Sequence, residues 1–294
     1  MNRAVKAFIA IASTLAVALS LVVGMTGGHQ SPLIGLGFVT MFVPTIAALV
    51  VGSAIREGLR IDWTRLPPAY LPVALFLIPL TLHVAMLSTV AVVGPLPWAE
   101  WLTPQADGFY HSPASRGWGV LTTPDLVARI ATNAVVGLVV VSFLALFEEI
   151  GWRGWLLPRL MDRMGVRRAV LVTAILWAIW HVPFALSGIQ HIDGMSSIRV
   201  AIAVPLGTVG AGLIIGWLWV RTESIWIVAF AHGAHNNWGQ YAFKFMQDFA
   251  APDPGLVLGA GIIGLSCVGT LLLIFGLSPR TALTATQTPK AQPL

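Results

Sequence analysis

Eight apolar stretches, most of them near 20 residues long, dominate this chain of 294 residues. A helix needs roughly 20 apolar residues to cross the hydrocarbon core of a bilayer, and its backbone polar groups must be satisfied within the segment. The stretches lie at 7–25, 33–55, 70–92, 128–157, 168–189, 199–220, 224–244 and 256–277. The sequence therefore predicts an all-α fold, a polytopic membrane helix bundle with about eight transmembrane helices.

The composition supports a membrane protein and argues against other classes. Hydrophobic residues make up 56% of the chain and charged residues 10%, whereas soluble domains carry about 25% charged residues. The basic residues are spread among short loops without a cluster, so no nucleic-acid partner is expected. The single cysteine, Cys267, excludes an intramolecular disulfide and a cysteine metal cluster. Membrane lipids are therefore the first expected partners.

Lysine and arginine sort the predicted loops into two groups. Counted from the N-terminus, alternate segments hold 12 of the 17 basic residues, and the intervening segments hold four. The positive-inside rule then predicts that both termini are cytoplasmic. An odd number of spans would break this alternation, which favours eight.

The predicted spans divide the chain into three parts. Residues 1–127 contain the first three helices and an outer interfacial loop that starts at Gly94 and is rich in tryptophan and proline. Residues 128–245 contain helices four to seven, the expected catalytic core. Residues 246–294 contain the last helix and a tail, polar and proline-rich after Pro279, that is expected to be disordered.

Polar side chains interrupt three of the predicted spans. They are Glu148, Glu149 and Arg153 in the fourth span, His181 in the fifth, and His232 with Asn236 in the seventh. A carboxylate inside a bilayer costs roughly 2.5–3.5 kcal/mol even on the lenient insertion scale, so such residues indicate function. Glu149 and Arg153 are four residues apart and are expected to form an ion pair on one helical face. Glu148 points about 100° away from Glu149 and has no partner at that spacing.

These polar groups are predicted to lie at a common depth. The nearest charged anchor on the basic side is 11 residues from Glu148, 13 from His181 and 9 from His232. At about 1.5 Å per residue, these spacings correspond to roughly 14–20 Å of helix. The groups therefore share one layer, in the cytoplasmic half of the membrane or near its midplane.

Such a set of side chains is suited to hydrolysis. A buried carboxylate can act as a general base on water, and a nearby histidine can orient that water or exchange its proton. A second histidine with an amide can donate hydrogen bonds to the oxyanion of a tetrahedral intermediate. Glu148, His181 and His232 are also a possible zinc ligand set. The residues alone leave the metal-free and zinc mechanisms open, so the cofactor is either absent or zinc.

Three motifs in this order resemble one family. They are Glu-Glu-x-x-x-Arg at 148–153, aromatic-x-x-x-His at 177–181 and His-x-x-x-Asn at 232–236. Together they resemble the CAAX-protease and bacteriocin-processing (CPBP) family of intramembrane proteases, which includes the Ras-converting CAAX endopeptidases. The resemblance covers about 128–240. Trp177 stands where that family usually has phenylalanine, a change that leaves the expected chemistry intact.

The resemblance implies a role for each polar residue. Glu148 would be the catalytic acid and base, His181 would help to activate the water, His232 and Asn236 would form the oxyanion site, and Glu149 with Arg153 would support the site. The resemblance also implies an intramembrane endopeptidase of the bacterial plasma membrane, acting on a membrane-embedded or lipid-anchored peptide. It does not imply that the substrate is prenylated.

Other functions use similar residues. Intramembrane acids and histidines also line transport paths, and a relative without activity can serve as a scaffold or immunity protein. A transporter is favoured by inverted repeats or paired broken helices, and the sequence has neither. Other protease classes lack their motifs, because the chain has no His-Glu-x-x-His and no Gly-x-Ser-x-Gly.

Overall fold

The chain folds into long helices that run up and down through one bundle. The computed structural model describes residues 3–93, 104, 106–109, 122–192, 195–246 and 254–277. Its helices are α1 (Arg3–Met25), α2 (Leu36–Thr40), α3 (Val43–Ile55), α4 (Leu71–Val93), α5 (Thr123–Met164), α6 (Val166–Leu186), α7 (Ser197–Thr222), α8 (Ile225–Met246) and α9 (Pro254–Phe275). The predicted tail beyond Pro279 and most of the predicted outer loop lie outside the described residues.

The all-α polytopic prediction is confirmed. Within the described residues, seven helical segments are long and apolar enough to cross a membrane. The span predicted at 224–244 is present as the continuous helix α8 but is not among those seven. Its histidines, asparagines and other polar residues lower the mean hydropathy of the helix. The predicted span at 33–55 is present as Leu36–Ile55, with a short turn at residues 41–42 between α2 and α3.

The loops that the sequence grouped by charge meet at one end of the bundle. Arg60, in the α3–α4 loop, pairs with Asp162 at the end of α5 at 2.6 Å. Arg159 of α5 reaches back to Glu57 of the same loop at 3.0 Å. Buried or bridging pairs of this kind fix the ends of neighbouring helices against each other. We call this the basic end of the bundle.

The α1–α2 and α6–α7 connections meet at the opposite end. The imidazole of His29 stacks on that of His191, with 4.0 Å between ring centroids. Close to them, the backbone of Gly28 lies against Ser187. The two ends of the bundle are therefore well separated, and the helices that carry the polar motifs run between them.

Close helix packing brings the polar motifs together. Gly233 of α8 faces α5 so closely that a Cβ atom there would lie 2.1 Å from Ser142 Oγ. A larger residue at this point would force α8 away from α5. The adjoining residue, His232, is consequently held against the carboxylates of α5.

Candidate active site

The glutamate pair lies at the junction between α-helix and a π-helical turn within α5. The regular helix ends at Glu149, and Ile150–Leu156 form the π-helical turn. A Cβ atom on Gly151 would lie 2.5 Å from the backbone of Pro44, so only glycine permits this contact between α5 and α3. The hydroxyl of Thr45 also donates to the carbonyl of Phe147. Turns of this kind inside α-helices are frequent at functional sites.

Glu149 is the centre of a fully buried charged cluster. Its Oε1 accepts a hydrogen bond from Arg153 Nη1 at 2.9 Å, so the predicted ion pair is present. The same oxygen accepts from His232 Nδ1 at 2.8 Å. Glu149 and Arg153 are each 0% exposed, and His232 is 2% exposed. A buried charge is tolerated only when it is paired and hydrogen-bonded, which is the case for this carboxylate.

Glu148 has a different partner, on another helix. Its Oε2 accepts a hydrogen bond from the indole N–H of Trp177, on α6, at 2.9 Å. Helical spacing along α5 could not reveal this partner, because Trp177 lies 29 residues away in the chain and on another helix. No described residue donates to Oε1, and that oxygen is left for a ligand or water.

Glu148, His181 and Asn236 line one cavity of about 310 Å³. They come from α5, α6 and α8, so three helices contribute to a single site. The remaining lining residues are mostly apolar. They belong to α2 and its two flanks, to the last turns of α6 and to the connection that follows α6: Ile34, Gly37, Phe38, Thr40, Met41, Trp180, Phe184, Ile189 and Gln190. The cavity therefore combines a few convergent polar groups with an apolar wall, as ligand sites usually do.

The partners of the two histidines fix their protonated nitrogens. His181 Nδ1 lies 2.8 Å from the carbonyl oxygen of Trp177. A carbonyl oxygen only accepts hydrogen bonds, so this nitrogen carries the proton and neutral His181 has an acceptor at Nε2. The same logic applies to His232, whose Nδ1 donates to Glu149. His181 is thereby suited to receive a hydrogen bond from water.

The predicted oxyanion pair is divided between two environments. Asn236 is exposed and lines the cavity, as its predicted role requires. His232 is buried between Glu149 and the ring of Trp177 and is not among the lining residues. The two residues share one side of α8 but lie a full turn apart. The structure thus brings Glu148, His181 and Asn236 together and sets His232 behind them.

Two residues of the site were not identified from the sequence. Trp177 appeared there only as the aromatic position of a motif, and its hydrogen bond depends on the fold. Gln190 follows α6, lines the cavity and has a buried Oε1 with no hydrogen-bond partner in the described part of the chain. No spacing or motif marks a glutamine in a connection of this kind.

The side chains do not fit a zinc site. In the described ranges, no three histidine, cysteine, aspartate or glutamate groups come together in a way that would hold a metal ion. Structural and catalytic zinc sites use at least three such ligands. Of the three candidates, Glu148 and His181 line the cavity, whereas His232 does not.

The cavity extends away from the basic end of the bundle. Glu148 and His181 lie 11 and 13 residues from the charged anchors of that end, which corresponds to roughly 17–20 Å of helix. The apolar wall at Ile34, Phe38 and Ile189 belongs to segments close to the opposite end, beside the stacked His29 and His191. The polar groups therefore form the deep end of the cavity.

Comparisons with known proteins agree with the motifs. Residues 130–238 match the family described as type II CAAX prenyl endopeptidase, Rce1-like. The chain is also similar to CAAX prenyl protease 2 of Methanococcus maripaludis, with 27% identity over 129 residues. That alignment covers 43% of this chain and 48% of the relative, so it spans about half the length of that protein. The matched segment contains all three polar motifs, so this part of the chain is similar to CAAX prenyl endopeptidases in the region that builds the cavity.

Proposed function

We propose that this protein is an intramembrane endopeptidase that hydrolyses a peptide bond with a water activated by Glu148. The observation that carries the proposal is the convergence of Glu148, His181 and Asn236 on one cavity. The family match over 130–238 supports the peptidase class. The fit of the side chains favours a metal-free mechanism, and no step below requires a metal.

The first step uses two hydrogen-bond acceptors. Glu148 Oε1 and His181 Nε2 each accept a hydrogen of the water, which directs its oxygen lone pair at the substrate carbonyl. Glu148 takes one proton as the water oxygen bonds to the carbonyl carbon. The tetrahedral intermediate then expels the amine, and the carbon–nitrogen bond breaks as Glu148 returns the proton to nitrogen.

The intermediate requires donors for its oxyanion. The carboxamide of Asn236 is exposed to the cavity and can donate there. His232 supports the site from behind, because its Nδ1–H donates to Glu149 and holds that carboxylate in place beside Glu148. Removing one donor of an oxyanion hole typically lowers kcat by about 10²–10³-fold.

The apolar wall indicates the substrate class. A membrane-tethered peptide with apolar residues beside the scissile bond would bury them against Phe38, Met41 and Phe184. The name of the relative from Methanococcus maripaludis describes a protease of prenylated CAAX proteins. We therefore propose a lipid-anchored or membrane-embedded peptide as substrate, and prenylated and unprenylated forms of one peptide should be compared.

The test is Glu148→Gln in the full-length protein reconstituted in proteoliposomes. The probes are fluorogenic peptides tethered to the membrane by a prenyl group, by an acyl chain or by a transmembrane segment. Because glutamine cannot accept the proton, we expect kcat to fall by about 10²–10⁴-fold, the usual contribution of a general base. A chelator should leave the wild-type activity unchanged.

Glu57→Gln is the matched control. It makes the same chemical change at an exposed carboxylate of the basic end and should leave cleavage intact. Wild-type cleavage by Glu148→Gln would exclude the proposed base. Chelator-sensitive activity with one bound zinc per chain would instead favour a metalloprotease.

A further inference from the structure

Trp177 contacts four charged or titratable side chains of the site, which are Glu148, Arg153, His181 and His232. Its indole N–H donates to Glu148 Oε2 at 2.9 Å. The guanidinium of Arg153 lies over its ring at 4.7 Å from the centroid. The rings of His181 and His232 meet it edge to face at 5.3 and 5.0 Å. With 1% of its surface exposed, Trp177 is fixed by packing on all sides.

The indole and the backbone of this one residue hold two different groups. The N–H is a donor only, so it occupies one oxygen of the Glu148 carboxylate and leaves the other for water. The backbone carbonyl of Trp177 receives Nδ1–H of His181. Since both contacts originate from one buried turn of α6, the two acceptors for the water keep a fixed relative orientation.

We propose that Trp177 is a positioning residue, which holds the carboxylate of Glu148 so that a single oxygen faces the water. The inference rests on the proposed function, and it replaces the expectation from the sequence that tryptophan and phenylalanine are equivalent at this position, because only tryptophan can donate to Glu148. Phenylalanine at this place would keep the ring contacts with Arg153 and the histidines but would lose the only donor to Glu148 in the described part of the chain. The carboxylate would then rotate between several orientations, of which few direct a water at the substrate.

The test is Trp177→Phe in the full-length protein, with the same tethered peptides in proteoliposomes. We expect kcat to fall by about 10- to 100-fold, because misorientation of a reacting group by about 1 Å has an effect of this size. KM should change little, since Trp177 does not line the cavity.

Trp155→Phe is the matched control. Trp155 is also fully buried, and its indole nitrogen has no hydrogen-bond partner among the described residues. This variant removes the same atoms without removing a bond to the site, so kcat should stay near the wild-type value. An unchanged kcat in Trp177→Phe, or equal losses in both variants, would overturn the positioning role.

A second measurement is independent of activity. The indole 15N–1H resonance of Trp177, identified by its absence in Trp177→Phe, should shift in Glu148→Gln because the charged acceptor is lost. If no indole resonance shifted in Glu148→Gln, the contact would be contradicted, even if the phenylalanine variant failed to fold and gave no assignment. Failure of the proposed function has a different signature, which is wild-type cleavage by Glu148→Gln together with a shifted indole resonance.

Discussion

Glu149 and Arg153 form an ion pair in the fully buried interior of the bundle. Each has 0% exposure, and they are joined at 2.9 Å. Removing one partner of a buried ion pair leaves the other charge uncompensated, which typically costs roughly 3–5 kcal/mol. We expect Arg153→Met to lower stability by that order, measured as the loss of folded protein on heating in detergent.

The double variant Glu149→Gln, Arg153→Met tests this explanation. It removes both charges, so it should be more stable than Arg153→Met alone although it lacks the same ion pair. Equal stability of the single variant and the wild type would show that His232 alone satisfies Glu149. Additive losses in the double variant would show that the pair acts through packing instead of charge.

Single residues show where sequence reasoning succeeds and where it ends. The pairing of Glu149 with Arg153 was predictable, because residues four apart on a helix share a face. The bonds from Trp177 to Glu148 and from His232 to Glu149 span 29 and 83 residues, respectively. No periodicity connects positions so far apart, and these bonds decide which carboxylate is held in a charged cluster and which faces the cavity.

The π-helical turn of α5 is the element that sets the direction of the glutamates. The turn packs against the first turn of α3. A Cβ atom added to Gly151 would lie only 2.5 Å from the backbone of Pro44. Alanine at this position would push the two helices apart, and such overpacking costs about 1–3 kcal/mol. We expect Gly151→Ala to lose both stability and most of its cleavage activity.

Gly259→Ala provides the comparison for that variant. A Cβ atom on Gly259 has no neighbour within 4 Å, and alanine is about 1 kcal/mol better than glycine inside a helix. Gly259→Ala should therefore match or exceed the wild-type melting temperature. If Gly151→Ala behaved in the same way, the contact between α3 and α5 would not determine the geometry of the site.

The helices themselves were predictable, but their irregularities were not. Long apolar runs indicate spans because lipid requires an internally bonded backbone. The turn between α2 and α3 and the π-helical turn Ile150–Leu156 interrupt the regular helices, and the π-helical turn packs closely on Pro44 of α3. Apolar periodicity does not reveal such irregularities, and Met41 in the first and Glu148 just before the second line the cavity.

The whole molecule has two unlike ends, and the cavity extends toward only one of them. The basic end is held by pairs such as Arg60 with Asp162, whereas the cavity wall at Ile34 and Ile189 lies near the other end. If the positive-inside rule holds for this bundle, the basic end is cytoplasmic. A substrate would then reach Glu148 from the non-cytoplasmic half of the membrane.

Cysteine labelling tests this orientation. In a Cys267→Ser background, which removes the only cysteine of the chain, Gln30→Cys and Arg163→Cys place a thiol at opposite ends, both on exposed residues. We expect a membrane-impermeant maleimide to label Gln30→Cys in intact cells and Arg163→Cys only after the membrane is opened. The reverse pattern would place the cavity on the cytoplasmic side, where a lipid-anchored cytoplasmic peptide would be the natural substrate. The labelling pattern therefore decides from which leaflet the scissile bond enters the cavity.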